Sequence, residues 1–366
     1  MPFQADKSGI TSMASSPDSD YTLPIASLFE FTDAHPMQTL LLGRNGPTVS
    51  AFGLGCMGMS GIYGPADDAE SIATIHAALE AGITLIDTGD FYGMGHNEML
   101  IRDALKGGKR ERACIMVKCG SMRGPDGKIV GDDARPQAIK NFLSYSLRRL
   151  GTDYIDLYQP SRVDPHVPIE DSVGAIADMV KAGYVRHIGL SEASAKTIRR
   201  AAAVHQIAAL QIEYSLFSRG IEHEILPTLR ELGIALVAYG VLSSGLISDR
   251  AQAARTAPSE LRTRRPRFFA ENFAKNFPLV EALRTIAHQK GVSTQALAFA
   301  WVKSRGDGVV PLIGARRRDQ LAEALRAVEL KLSSDDLARI EQAAPADAVA
   351  GTRYMPAVMA HMDSEL

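Results

Sequence analysis

GITLIDTGDFYG (82–93) opens on a short aliphatic and β-branched run and closes on two groups with chemistry, Asp87 and Tyr92. Four to six apolar residues are too few for a helix and read as a strand buried on both faces. The stretch before it, DDAESIATIHAALEAG (67–82), places Ile72, Ile75, Ala78 and Leu79 on one helical stripe, with Gly82 as its stop. Helix, turn, buried strand and polar strand end together form one unit of a parallel α/β fold.

The unit recurs. Comparable runs are VSAFGLG (49–55), ACIMVK (113–118), YIDLYQ (154–159), YVRHIGL (184–190), AALQI (208–212), IALVAY (234–239) and VVPLIG (309–314). Helical patterns follow most of them: ARPQAIKNFLSYSLRRLG (134–151), SAKTIRRAAAV (194–204), EILPTLRELG (224–233) and DQLAEALRAV (319–328). Eight strands alternating with helices predict a single-domain (β/α)8 TIM barrel, with a doubly wound open sheet as the rival. About 70 residues separate the seventh strand from the eighth. They hold the basic stretch SDRAQAARTAPSELRTRRPRFF (248–269) and two helical patterns, so a long seventh βα loop is expected on the catalytic face. Residues 1–36 lack periodicity and read as a mobile N-terminal extension. The barrel is expected over 37–344, and a tail at 345–366 is expected to fold back over the active end.

Composition narrows the function classes. Forty basic and 42 acidic side chains give a formal charge of −2, which is no footprint for nucleic acid or an anionic membrane. No apolar run reaches the roughly 18 residues of a membrane span. Cys56, Cys114 and Cys119 in 366 residues make no disulfide framework, which fits a reducing, cytoplasmic compartment. GLGCMG (53–58) has dinucleotide-fold spacing, yet no helix opens behind it and Ala77 and Ala78 stand where an acidic residue is required. His223-Glu224 lacks a second histidine, no cysteine pair has zinc spacing, and G-x-S-x-G is absent, so neither a metal site nor a hydrolase elbow is expected.

In a barrel, polar groups at strand C-termini face the site. Asp87 ends one strand, Lys118 ends the next, and Tyr92 lies in the loop between them. A lysine closing a buried run requires a carboxylate partner, and Asp87 on the adjacent strand supplies it. A phenol titrates near 10, and a neighbouring ammonium lowers that value, which suits a general acid. A structural ion pair beside a packing tyrosine is the alternative reading of the same residues.

GITLIDTGDFYG, IMVKCG, TDYIDLYQPSRVDP, VRHIGLSEAS, LQIEYSL, GIALVAYGVLSSGLIS and VVPLIGAR resemble, in order, the signature segments of the aldo-keto reductases, from about Met37 to Ala344. The resemblance implies a (β/α)8 oxidoreductase that uses NADP(H), with NAD(H) as the alternative, to reduce small aldehydes and ketones. Asp87, Tyr92 and Lys118 then fill three of four catalytic positions. The fourth, a histidine in DLYxxHRVDP, is Ser161 here, and a serine hydroxyl is much shorter than an imidazole. Family members that vary at this position include double-bond reductases and weakly active regulatory barrels, which remain alternative readings. His166 is a weak candidate to compensate.

The cofactor residues implied by the resemblance are Gly55, Cys56, Met57 and Asp87; Ser191 and Gln211 for the nicotinamide amide; and Tyr239 for its stacking face. Gly240, Leu242, Ser244 and Gly245 cradle the pyrophosphate, while Ile313, Gly314 and Arg316 meet the 2′-phosphate end and Gln320 and Glu323 approach adenine. Glu192 stands where the family has asparagine and is a candidate to face substrate. Arg317 and Arg318 read equally as a solvated face, and Arg262, Arg264, Arg265 and Arg267 either clamp phosphate or stay wet.

Overall fold

The computed structural model describes residues 36–256 and 260–365, so nearly all of the expected N-terminal extension lies outside the described residues. The described chain opens with an antiparallel hairpin, β1 (Thr39–Leu41) and β2 (Thr48–Ser50). Barrel strands β3 (Gly53–Gly55), β4 (Leu85–Gly89) and β5 (Cys114–Cys119) follow. A second hairpin, β6 (Ser121–Arg123) and β7 (Ile129–Asp132), then interrupts the alternation. The barrel resumes with β8 (Ile155–Pro160), β9 (Val185–Ser191), β10 (Ile207–Glu213), β11 (Ala235–Tyr239) and β12 (Val309–Gly314). These eight parallel strands close on themselves, with β12 pairing β3 through Leu312 and Gly53.

Helices α1 (Asp68–Glu80), α2 (His96–Ala104), α3 (Pro136–Leu150), α4 (Ile169–Lys181), α5 (Ala195–Val204) and α6 (Ile225–Leu232) each follow a barrel strand. The long seventh connection carries α7 (Ala251–Thr256), α8 (Glu260–Thr263), α9 (Ala270–Gln289) and α10 (Thr294–Lys303). Then come α11 (Arg318–Leu325), α12 (Ser334–Ala343) and the short α13 (Pro356–Met359). Local chemistry sets their ends. Asp67 accepts the Glu70 N–H at the start of α1, Pro136 opens α3, and Ser333 with Asp336 forms a reciprocal capping box on α12.

Two expectations need correction. VSAFGLG is not one strand: Thr48–Ser50 pairs with Thr39–Leu41, and only Gly53–Gly55 enters the barrel. The hairpin serves as a floor, since Leu42 and Val49 pack among Leu85, Met116, Leu157, Ala209, Val237 and Val310 at the N-terminal end. The β6–β7 hairpin was not expected either, although GPDGK (124–128) carries a Pro-Asp-Gly turn signal.

Side chains two residues apart on a strand share a face, so the apolar floor continues upward in register. Leu85 leads to Asp87, Met116 to Lys118, Leu157 to Gln159, Ala209 to Gln211 and Val237 to Tyr239. One step along each strand turns hydrocarbon into a polar layer at the C-terminal end. Leu85→Ala, at a fully buried floor position under Asp87, should cost about 2–5 kcal/mol, whereas Tyr145→Ala on the exposed face of α3 should change stability by under about 0.5 kcal/mol. Denaturant midpoints of the two variants check this; equal shifts would contradict the layered core.

Candidate active site

The polar layer is a connected network. Lys118 Nζ donates to Asp87 Oδ1 at 2.5 Å, Gln211 Nε2 donates to the same oxygen at 2.8 Å, and Gln159 Nε2 donates to Gln211 Oε1 at 2.9 Å. Asp87 and Lys118 are 4% and 5% exposed. Burial pushes the Asp87 carboxyl up and the Lys118 ammonium down; the contact between them opposes both shifts, and Gln211 also opposes that of Asp87. Gln159 was missed in the sequence, although it stands two residues past Leu157 on the same face. Its Oε1 is buried without a partner among the described residues.

Tyr92 begins a turn, Tyr92–Gly95, that reverses the chain between β4 and α2. Gly93 makes the reversal: its φ is +56°, and a Cβ there would lie 3.0 Å from the β-carbons of Ser60 and His96. The Tyr92 ring packs edge-on against Phe91 at 4.8 Å, and Lys118 Nζ lies 5.1 Å from its centroid. The expected lowering of the phenol pKa is not found. Burial drives it well above its ordinary value, the Asp87 carboxylate adds to that, and the Arg162 guanidinium acts in the lowering direction. Tyr92 is therefore a phenol that keeps its proton.

Ser161 is buried at the end of β8 but does not stand alone. Its Oγ lies 2.5 Å from Ser121 Oγ, which in turn donates to Asp132 Oδ1 at 2.5 Å. The unexpected hairpin thus brings Ser121 and Asp132 against Ser161. Arg162 follows it, half-buried, donating Nη1–H to the Ser161 carbonyl at 2.6 Å. His166 is exposed in the same loop.

Around the rest of the rim, Cys56 N donates to the Asp87 carbonyl at 3.0 Å, which ties Gly55, Cys56 and Met57 to the top of β4. Ser191 lies opposite Gln211 in the β9–β10 register, and Tyr239 ends β11. The following turn, through Gly240, Leu242, Ser244 and Gly245, is unusual backbone: Ser243 and Ser244 have φ of +46° and +61°. Gly240 has φ +68°, and a Cβ there would sit 2.9 Å from Glu213 Cγ. Beyond β12, Ile313 is buried, Gly314 is exposed with nothing within 4 Å of a would-be Cβ, and Gln320 Oε1 accepts the Arg316 N–H at 3.1 Å. Glu323 lies farther along α11, half-buried.

The arginines sort by partner. Arg317 pairs with Asp319 and Arg318 with Glu70, which leaves Arg316 as the member of the trio without a carboxylate among the described residues. Its Nη1 donates to the Gly64 carbonyl at 2.9 Å. Arg262 donates to the Ser244 carbonyl at 2.9 Å, and burial, helped by the Arg316 charge, lowers its pKa. Arg267 is not wet: it is buried and donates to Phe217, Ser218 and Ser243. Arg265 lies over the Tyr354 ring at 3.9 Å, and Arg264 is exposed.

Glu192 does not point at an open site. It is fully buried and accepts both Arg353 terminal nitrogens at 2.8 and 2.6 Å, the Tyr239 hydroxyl at 2.6 Å and the Ser364 hydroxyl at 2.7 Å. These bonds overcome the burial penalty and hold its carboxyl at about 2. The Tyr354 and Tyr239 hydroxyls lie 2.8 Å apart. Arg353 and Tyr354 escaped sequence reading because their partners are over 100 residues away and no local pattern marks them.

The donor set fits a stretched dinucleotide on this chain's own features. Tyr239 offers a ring at the rim, Gly240 makes a left-handed turn behind it, and Arg316 has no carboxylate partner among the described residues. A model of the aldo/keto reductase family matches residues 51–345. A probable aldo-keto reductase from Glycine max is 42% identical over 321 residues, covering 87% of this chain and 92% of the relative. Glycerol dehydrogenase from Gluconobacter oxydans superimposes with TM-score 0.77 at 28% identity, over 88% of this chain and 99% of that one. An aldo-keto reductase from Klebsiella pneumoniae, solved in complex with NADPH, gives 0.67 at 25% identity, over 84% and 95%. Sequence and barrel agree across the same span: this chain belongs to the aldo/keto reductase family and is a NAD(P)H-dependent oxidoreductase.

Proposed function

We propose that this chain reduces an aldehyde or ketone to an alcohol with NADPH, reversibly, with Tyr92 as the general acid. The observation that carries the reading is the buried Lys118–Asp87 pair at 2.5 Å, with the Tyr92 ring 5.1 Å from the ammonium. The NADPH complex of the Klebsiella pneumoniae relative supports the cofactor. Bound NADPH supplies a hydride to the carbonyl carbon.

The chain's residues do the rest. Tyr92 gives its proton to the carbonyl oxygen as charge develops there. Its raised pKa is compatible with that role, because a phenol that stays protonated has its proton to give. Lys118 places a positive charge beside the ring and favours the phenolate left behind, and Asp87 with Gln211 fixes the ammonium in position. Ser191 and the second Gln211 N–H would hold a nicotinamide amide, the Tyr239 ring would offer it a stacking face, and the turn from Gly240 to Gly245 would receive the pyrophosphate. Arg316, which has no competing carboxylate among the described residues, would take the 2′-phosphate as a guanidinium fork. The tail covers this end of the barrel through Arg353 and Tyr354 and keeps bulk water from the reaction.

Tyr92→Phe should lower kcat by at least about 100-fold and leave the NADPH dissociation constant within threefold; a variant that keeps most of its turnover would remove Tyr92 from the chemistry. The phenol pKa lies above its ordinary value, so the acid is fully present below 10 and lost only above it. The reduction rate at saturating cofactor should therefore stay level from pH 6 to 9; a fall with a midpoint near 8 would show a lowered phenol instead. Arg316→Ala should raise the KM for NADPH at least tenfold more than that for NADH, and equal effects would remove its phosphate role.

A further inference from the structure

One cation in the active end has no counterpart in the chemistry described so far. Arg162 follows Ser161 at the end of β8, and among the described residues its one hydrogen bond is from Nη1 to the Ser161 carbonyl. A guanidinium has five N–H donors in a planar fork, so most of its capacity is unspent. No carboxylate lies within ion-pair distance of it among the described residues. Of the nearby acids, Glu192 is paired with Arg353, while Asp132 accepts from the neutral Ser121 hydroxyl; both act on Arg162 through space, from beyond ion-pair distance. Asp87, the remaining acid of the polar layer, is held by Lys118 and Gln211.

Its place in the ring says what it faces. Around the closed barrel the order is β10, β11, β12, β3, β4, β5, β8, β9, so β8 lies diametrically across from β12. Arg316, at the end of β12, and Arg162 therefore stand on opposite sides of the mouth. A dinucleotide whose phosphates lie along β11 and β12 leaves Arg162 beside the reacting end. The groups that feel its charge agree: Tyr92 and Lys118 on one side, Tyr239 on the other. Ser161, by contrast, is engaged by the Ser121 hydroxyl.

We propose that Arg162 is an anion-recognition residue for the substrate, and that this reductase takes carbonyl compounds that also carry a carboxylate. The fork binds the carboxylate in two parallel N–H···O bonds and turns the carbonyl toward Tyr92. This rests on the reductase reading above. An open guanidinium in a partly desolvated site favours a carboxylated substrate over its neutral ester by roughly 10- to 100-fold in kcat/KM.

The test compares 4-carboxybenzaldehyde with methyl 4-formylbenzoate, aldehydes that differ mainly in charge. Wild-type enzyme is expected to prefer the acid at least tenfold, and Arg162→Met to bring the ratio of the two kcat/KM values near one, with Arg162→Lys between. Equal turnover of the two by wild-type enzyme, or an unchanged ratio in Arg162→Met, overturns the proposal. A second arm does not depend on turnover: benzoate is titrated calorimetrically into the NADP-loaded protein and into its Arg162→Met variant. Binding that the variant loses upholds the anion site even if neither aldehyde is reduced, in which case the reductase reading alone falls. No benzoate binding to wild-type protein, or tighter binding of phenyl phosphate than of benzoate, overturns the carboxylate assignment.

Discussion

A charged lysine at the top of a hydrocarbon-filled barrel is the constraint on which the rest of the upper half depends. Removing one partner of a buried pair of this kind costs about 3–5 kcal/mol, because the survivor is left charged in a poor solvent. Lys118 therefore needs Asp87 on the adjoining strand, and Asp87 in turn accepts from Gln211. Gln159 extends the chain of bonds to β8. Four strands are thus tied at one level by polar bonds, just above a floor tied by packing. The phenol of Tyr92 sits over that level, held there by a left-handed reversal at Gly93, where a Cβ would crowd Ser60 and His96.

The same constraint explains why a raised phenol pKa and a catalytic acid are compatible. A site dry enough to bury an ion pair also disfavours phenolate, so under the proposed mechanism Tyr92 would enter the reaction protonated. In the proposed reduction the ammonium would act when the proton leaves, by stabilising the charge that appears. Lowering a resting pKa and stabilising a transient anion are different services, and the geometry suits the second.

Much of this was legible in the sequence. Eight short apolar runs specified the barrel, and strand ends with Asp, Lys and Tyr specified the polar level, because burial on both faces and two-residue periodicity leave few other readings. Local signals failed where structure is made by distant pairing. Thr48–Ser50 looks like part of a barrel strand until Thr39–Leu41 claims it. Ser161 looks like a bare vacancy in a motif until the β6–β7 hairpin brings Ser121 and Asp132 to it. Glu192 looks like a substrate contact until Arg353 arrives from the tail. Arginine clusters mislead for the same reason: Arg317 and Arg318 are neighbours of Arg316 in sequence, yet carboxylates neutralise both.

The central claim is that the Lys118 ammonium, held by Asp87, makes proton transfer from Tyr92 fast enough to accompany hydride transfer. Stopped-flow observation of NADPH oxidation in a single turnover of Lys118→Met, with cofactor affinity measured in parallel, addresses it directly. The account predicts that the hydride-transfer rate falls by two orders of magnitude or more while NADPH binding stays within a few-fold. Transfer at close to the wild-type rate in a folded, cofactor-loaded variant would contradict it.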